Sequence, residues 1–138
     1  MEMTVRKHTF GKEEHIVSKL QIDRLFSKGG SRALSAFPIR VVYRLYERPE
    51  FDPVAVQVLL SVPKHHLKHA VARNRVKRQL REAYRLQKEI LAEALPEGHH
   101  LDMAFIWLSD ELVDTATVYR RMGNLLTRLA ERLSDVKA

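Results

Sequence analysis

Residues 70–85 read AVARNRVKRQLREAYR. Val76, Leu80, Ala83 and Tyr84 fall at i, i+4, i+7 and i+8, one face of an α-helix. At about 100° per residue, Arg73, Lys77, Arg81, Arg85 and Lys88 line a second face beside it. The spacing predicts a helix running to about Leu95, where Pro96-Glu97-Gly98 stops it. One side of this helix buries in a core and the other presents a cationic stripe. A charged helix face is often only solvated, with Arg–Glu pairs supporting the helix. Here Glu82 and Glu89 alone temper the run, so self-pairing cannot neutralise it. A stripe of this density suits a polyanion with phosphates in a row. Arginine adds a planar fork that grips phosphate or base edges bidentately.

Working outward, residues 17–28 (VSKLQIDRLFSK) place Leu20, Ile22, Leu25 and Phe26 at near-helical spacing, with Ser18 as a cap and Gly29-Gly30-Ser31 as the stop. Phe37 to Tyr46 alternates Phe37, Ile39, Val41, Tyr43 and Leu45 with Arg40 and Arg44 opposite, a strand signature. Glu47 to Pro53 reads as a turn, and Val54 to Val62 as a second strand closed by Pro63. KHHLKH at 64–69 is a basic connector. His99-His100 are placed in a turn. Leu101 to Leu108 reads as a buried strand in which Trp107 is core. Val118, Met122, Leu125, Leu126, Leu129 and Leu133 mark an amphipathic terminal helix. The order is helix, strand, strand, helix, strand, helix. That is a single α+β domain over residues 16–138, a small sheet packed by about three helices, preceded by a basic N-terminal arm at 1–15.

The chain has 138 residues, enough for one modest core, and a net charge of +7. Its pI of about 9.9 suits a nucleic-acid or anionic-surface binder. No apolar run approaches the roughly 20 residues that span a bilayer, and the N-terminus lacks the apolar stretch of a secretory signal. No membrane partner is expected. The absence of cysteine excludes disulfides and thiolate metal sites and is compatible with a cytoplasmic location.

Hydrolysis by the protein itself would need converging carboxylates, an activated nucleophile or a metal cluster. Glu13-Glu14, Asp23, Asp52, Asp102 and Asp110-Glu111 are scattered instead. Among the seven histidines, His65 and His69 could face one metal only on a helical connector, and no third ligand accompanies them. No catalytic residue, protein-held metal or small-molecule substrate is therefore expected. A self-sufficient nuclease is the disfavoured reading, and a ribosomal-type RNA-binding module remains the alternative to the one that follows.

Arg73-Asn74-Arg75, then Val76-Lys77-Arg78 and Leu80 to Arg85, resemble the signature block of the bacterial ribonuclease P protein component. Leu60-Ser61-Val62-Pro63-Lys64, Ala70-Val71 and Leu25-Phe26 with Gly29 or Gly30 match the same pattern, so the resemblance spans about residues 10 to 133. One departure is visible, since Leu67-Lys68-His69 stands where many members carry a glycine. The resemblance implies a protein subunit that binds ribonuclease P RNA and the 5′ leader of precursor tRNA. The RNA would hold the catalytic Mg2+ and hydrolyse the phosphodiester that joins leader to tRNA. It implies a rare left-handed crossover between the second and third expected strands. It also implies RNA contacts at Arg73, Asn74, Arg75, Lys77, Arg78, Arg81 and Arg85. A leader cleft between first helix and sheet would involve Ile22, Phe26, Tyr43 and Lys64, with aromatics stacking on unpaired bases. An aromatic at such spacing suits a core equally well.

Overall fold

The computed structural model describes residues 10–27, 29–47 and 54–137. Most of the expected turn at 47–53 and residues 1–9 of the expected arm lie outside that range. Phe10 to His15, also assigned to the arm, rest on the domain. Lys12–Glu14 form a short 3-10 turn, Phe10 stacks on His15 with centroids 3.9 Å apart, and it meets the Tyr84 ring edge-on at 5.3 Å.

Four strands form one mixed sheet in the order β1-β2-β4-β3. They are β1 (Arg32–Ala36), β2 (Ile39–Glu47), β3 (Val56–Ser61) and β4 (His99–Trp107). β1–β2 and β2–β4 pair antiparallel, and β3–β4 pair parallel. The helices are α1 (Lys19–Phe26), α2 (Ala70–Gln87), the single turn α3 (Glu89–Ala92) and α4 (Thr115–Lys137). The expected α+β class and element order hold, and α2 crosses between the parallel strands.

The period-2 alternation of the strands splits the core between the two sheet faces. Ile39, Val41, Tyr43, Leu101, Met103, Phe105 and Trp107 bury against Val76, Leu80 and Tyr84 of α2 and Met122, Leu125, Leu126 and Leu129 of α4. Val42 and Ala104 point to the opposite face, where Leu25 of α1 and Ile16 cover them. Each fully buried Leu, Met or Phe contributes about 1.5–3 kcal/mol, so the larger cluster dominates stability.

Four local expectations are corrected. β1 was not foreseen; its sequence RALSA buries only Leu34. Phe37 does not join the inner row of β2. It sits in the two-residue β1–β2 connection, before a cis peptide bond to Pro38, and is 64% exposed. His99 and His100 are not in a turn but open β4, paired with Glu47 and Tyr46. The long helix breaks at Lys88 rather than running straight to Leu95.

Candidate nucleic-acid interface

α2 is built as its periodicity demands. Val76, Gln79, Leu80, Ala83 and Tyr84 are its buried residues. The opposite arc, at about 100° per residue, runs through Lys77, Arg81, Asn74, Arg85, Arg78 and Arg75, with exposed Ala70 and Val71 as the apolar side chains on it. Among the described residues, the side chains of Arg75, Lys77, Arg78 and Arg81 make no hydrogen bond or ion pair. Four cations on one helix face are thus left for an outside anion.

The other two expected cations are engaged. Arg85 grips both carboxylate oxygens of Glu82, at 3.0 and 2.8 Å, and holds that carboxyl below its usual range. Arg73 turns back to the connector, donating from Nη1 to the carbonyls of Leu67 at 2.9 Å and Lys68 at 2.6 Å. The helix has no side-chain cap at His69, and Arg73 instead fastens the loop that leads into it. Buried Leu67 anchors the same loop. Gln79 locks the far side, donating from Nε2 to the Val113 carbonyl at 2.9 Å and the Thr115 hydroxyl at 3.1 Å. Sequence reading missed Gln79 because one polar residue on an apolar face carries no signal of its partner.

The connector itself is a turn, with the His66 and Leu67 amides donating to the Pro63 carbonyl. It is therefore not the helical frame on which His65 and His69 could share a metal. His66 instead meets Asp110, Nδ1 to Oδ1 at 2.7 Å. Lys64 lies exposed in this turn. Among the described residues no three histidine, aspartate or glutamate side chains gather as a metal site.

The α1 face differs from expectation in one residue. Ser18 caps α1, accepting from the Gln21 amide at 3.4 Å, and Leu25 is fully buried beneath the helix. Ile22 packs partly at the helix–sheet junction, and Phe26 stays 47% exposed. Beside Phe26 a hollow of about 220 Å³ is lined by Ser31, Ala33, Arg40 and Val42. Tyr43 is not there. Its register places it on the α2/α4 face, 5% exposed, because a strand sends alternate residues to opposite sides. Tyr43 is a core residue, and Arg40, three residues earlier on the opposite face, lines the hollow together with Arg32, Ala33 and Val42.

A polar network, not anticipated, lies between α1 and the sheet. His100 and Asp102, 3% and 1% exposed, pair through Nε2 and Oδ1 at 2.8 Å. Nδ1 of His100 faces the Val54 carbonyl at 3.0 Å and so donates to it. The Tyr46 hydroxyl donates to Asp102 Oδ2 at 3.1 Å. Gln21 of α1 donates to Asp102 Oδ1 at 3.2 Å and to Gln57 of β3 at 2.6 Å. One carboxylate thereby ties α1 to β2 and β4, and Gln21 extends the tie to β3. Burial, and then the Asp102 charge, push the Tyr46 hydroxyl up to about 12. The i, i+2 spacing of His100 and Asp102 on a strand was the available signal, lost once those histidines were read as a turn.

A family model described as Ribonuclease P matches residues 10–130. The ribonuclease P protein component of Porphyromonas gingivalis is 42% identical over 125 residues, 88% of each chain. That of Chlorobium phaeobacteroides is 34% identical over 111 residues, 76% of this chain and 72% of its own. Among solved structures, the RNase P protein from Thermotoga maritima has a TM-score of 0.62 at 23% identity, covering 83% of this chain and 96% of that one. A Staphylococcus aureus RNase P protein mutant with defective mRNA degradation activity has a TM-score of 0.64 at 17% identity, covering 94% of both. These two are likenesses of fold. The sequence matches run through α1, the sheet, α2 and most of α4, so the chain belongs to the ribonuclease P protein component family.

Proposed function

We propose that this chain is the protein subunit of a ribonuclease P ribonucleoprotein, binding the catalytic RNA and the 5′ leader of precursor tRNA so that the leader is removed. The observation that carries this reading is the α2 face on which Arg75, Lys77, Arg78 and Arg81 stand without partners among the described residues. Cations held on a rigid helix neutralise phosphates and release counterions, which supplies affinity without base readout. Asn74, exposed on the same arc, can donate and accept toward a 2′-hydroxyl or base edge.

Magnesium belongs with the RNA in this reading, because the carboxylates among the described residues do not converge. Glu14 meets Lys88, Glu82 meets Arg85, Asp102 meets His100, and Asp110 meets His66. What the protein contributes is positioning: α2 holds RNA, and the α1 face with Ile22, Phe26, Arg40 and, from the connector, Lys64 receives single-stranded leader. Cationic screening of crowded phosphates would let the RNA take up magnesium at lower concentration. Such a subunit works in the cytoplasm with its RNA.

The test is cleavage of precursor tRNA by a ribonuclease P RNA at a magnesium concentration too low for the RNA alone. Added protein is expected to restore cleavage, leaving a 5′-phosphate on the mature end, and protein without RNA is expected to cleave nothing. No stimulation would favour a ribosomal-type RNA-binding module instead. Robust RNA-free cleavage abolished by one carboxylate substitution would make the chain a nuclease in its own right.

A further inference from the structure

A second cationic edge lies away from α2. On α4, Arg121, Arg128 and Arg132 fall within about 40° of one another around the helix, at about 100° per residue. They extend over about 16 Å of its axis. Arg128 fixes where this row faces: its Nη1 donates to the Ser35 carbonyl of β1 at 2.8 Å and to Asn124 Oδ1 at 3.2 Å. Arg32 of β1 joins it, lining with Arg132 a hollow of about 630 Å³. β1 is one edge strand of the sheet, and β3, over which α2 packs, is the other. The two cationic surfaces therefore sit at opposite edges of the domain.

We propose that Arg32, Arg121, Arg128 and Arg132 form a second phosphate-backbone site, engaging a segment of the folded RNA different from the one on α2. This rests on the ribonuclease P reading above. Three features favour RNA as the occupant. All four cations are arginine, whose fork accepts phosphate oxygens bidentately. Among the described residues Arg121 and Arg132 have no hydrogen bond or ion pair, although Glu47, Glu131 and Asp135 lie nearby. The α4 sector holding the row carries Asp135, and the one exposed apolar side chain beside it, Val136, is too small a surface to enter a lipid layer or form the core of a protein interface. A domain with cationic sites at both edges can bridge two RNA segments and hold their spacing.

The test measures affinity of the full chain for ribonuclease P RNA across a salt series. Arg121 and Arg132 have no partners to lose, so Arg121→Gln/Arg132→Gln is expected to melt like the parent. It should reduce the magnitude of the log K versus log salt slope by about 1.4–1.8, two contacts' worth. Arg120→Gln, next in sequence to Arg121 but about 100° away around the helix, controls for net charge and should leave the slope unchanged. Hydroxyl-radical footprints should lose protection at different nucleotides in the α4 variant and in Lys77→Gln/Arg81→Gln. An unchanged slope, an equal per-charge effect from Arg120→Gln, or loss of protection at the same nucleotides would overturn the second site. Failure of the unsubstituted chain to bind the RNA at all would instead remove the ribonuclease P reading on which it rests.

Discussion

The Tyr46 hydroxyl joins the packing of α1 to the charge beneath it. Burial first, and the neighbouring Asp102 carboxylate second, raise it to about 12, above the ordinary value of 10.0. The folded state therefore keeps a proton that the unfolded chain releases. Stability from this group is complete below about pH 10 and is lost as pH rises toward 12. Urea midpoints recorded across that window should fall, and Tyr46→Phe should flatten part of the fall. Tyr84, raised by its burial, contributes in the same direction. At neutral pH the Phe variant should lose about 1 kcal/mol, the worth of one hydrogen bond. An identical alkaline slope in parent and variant would show that folding does not raise the Tyr46 hydroxyl.

Two aromatics that the sequence treats alike separate on the same scale. Phe26→Ala removes a side chain left 47% exposed beside the hollow and should cost little stability. It should cost about 1–3 kcal/mol of affinity for precursor tRNA, and nothing for mature tRNA, which has no leader to stack. Tyr43→Ala empties a core position and should cost about 3–5 kcal/mol of folding free energy, with both RNAs affected alike. Binding to the two tRNAs with thermal melts in parallel distinguishes these outcomes. Equal loss on both tRNAs for Phe26→Ala would remove it from the leader face.

Among the elements, α2 divides function from stability most sharply. Leu80 is fully buried, so Leu80→Ala should cost about 2–5 kcal/mol, while Lys77→Gln/Arg81→Gln should melt like the parent and bind RNA more weakly. A large melting loss from the cation pair would mean those side chains hold the fold. This division was legible in the sequence because Val76, Leu80, Ala83 and Tyr84 keep a helical period over many residues. The terminal helix was legible for the same reason, and the strand around Met103 from its nearly continuous apolar run. β1 was not, since five residues with one buried leucine form a strand only because β2 pairs with them. Periodicity also cannot say which cations are free. Arg73 and Lys77 look equivalent in sequence, and only the path of the connector turns Arg73 onto the Leu67 and Lys68 carbonyls. The buried His100–Asp102 pair and the facing of Tyr43 followed from where strand β4 starts and which side of β2 faces α4.

At the scale of the molecule, the sheet separates the three proposed RNA surfaces: α2 at the β3 edge, the α1 face beneath, and the arginine row of α4 at the β1 edge. Cations of the described residues thus stand on several sides of the domain, the distribution that the proposed place among RNA segments would use. The central claim is that the unpaired cations of α2 let the catalytic RNA work at low magnesium. The most direct measurement is a magnesium titration of precursor-tRNA cleavage by ribonuclease P RNA with the parent protein and with Arg75→Gln/Lys77→Gln/Arg81→Gln, both shown to be folded. The parent should lower the magnesium needed for half-maximal cleavage, and the variant should leave it close to that of the RNA alone. A variant that lowers the requirement as fully as the parent would contradict the claim.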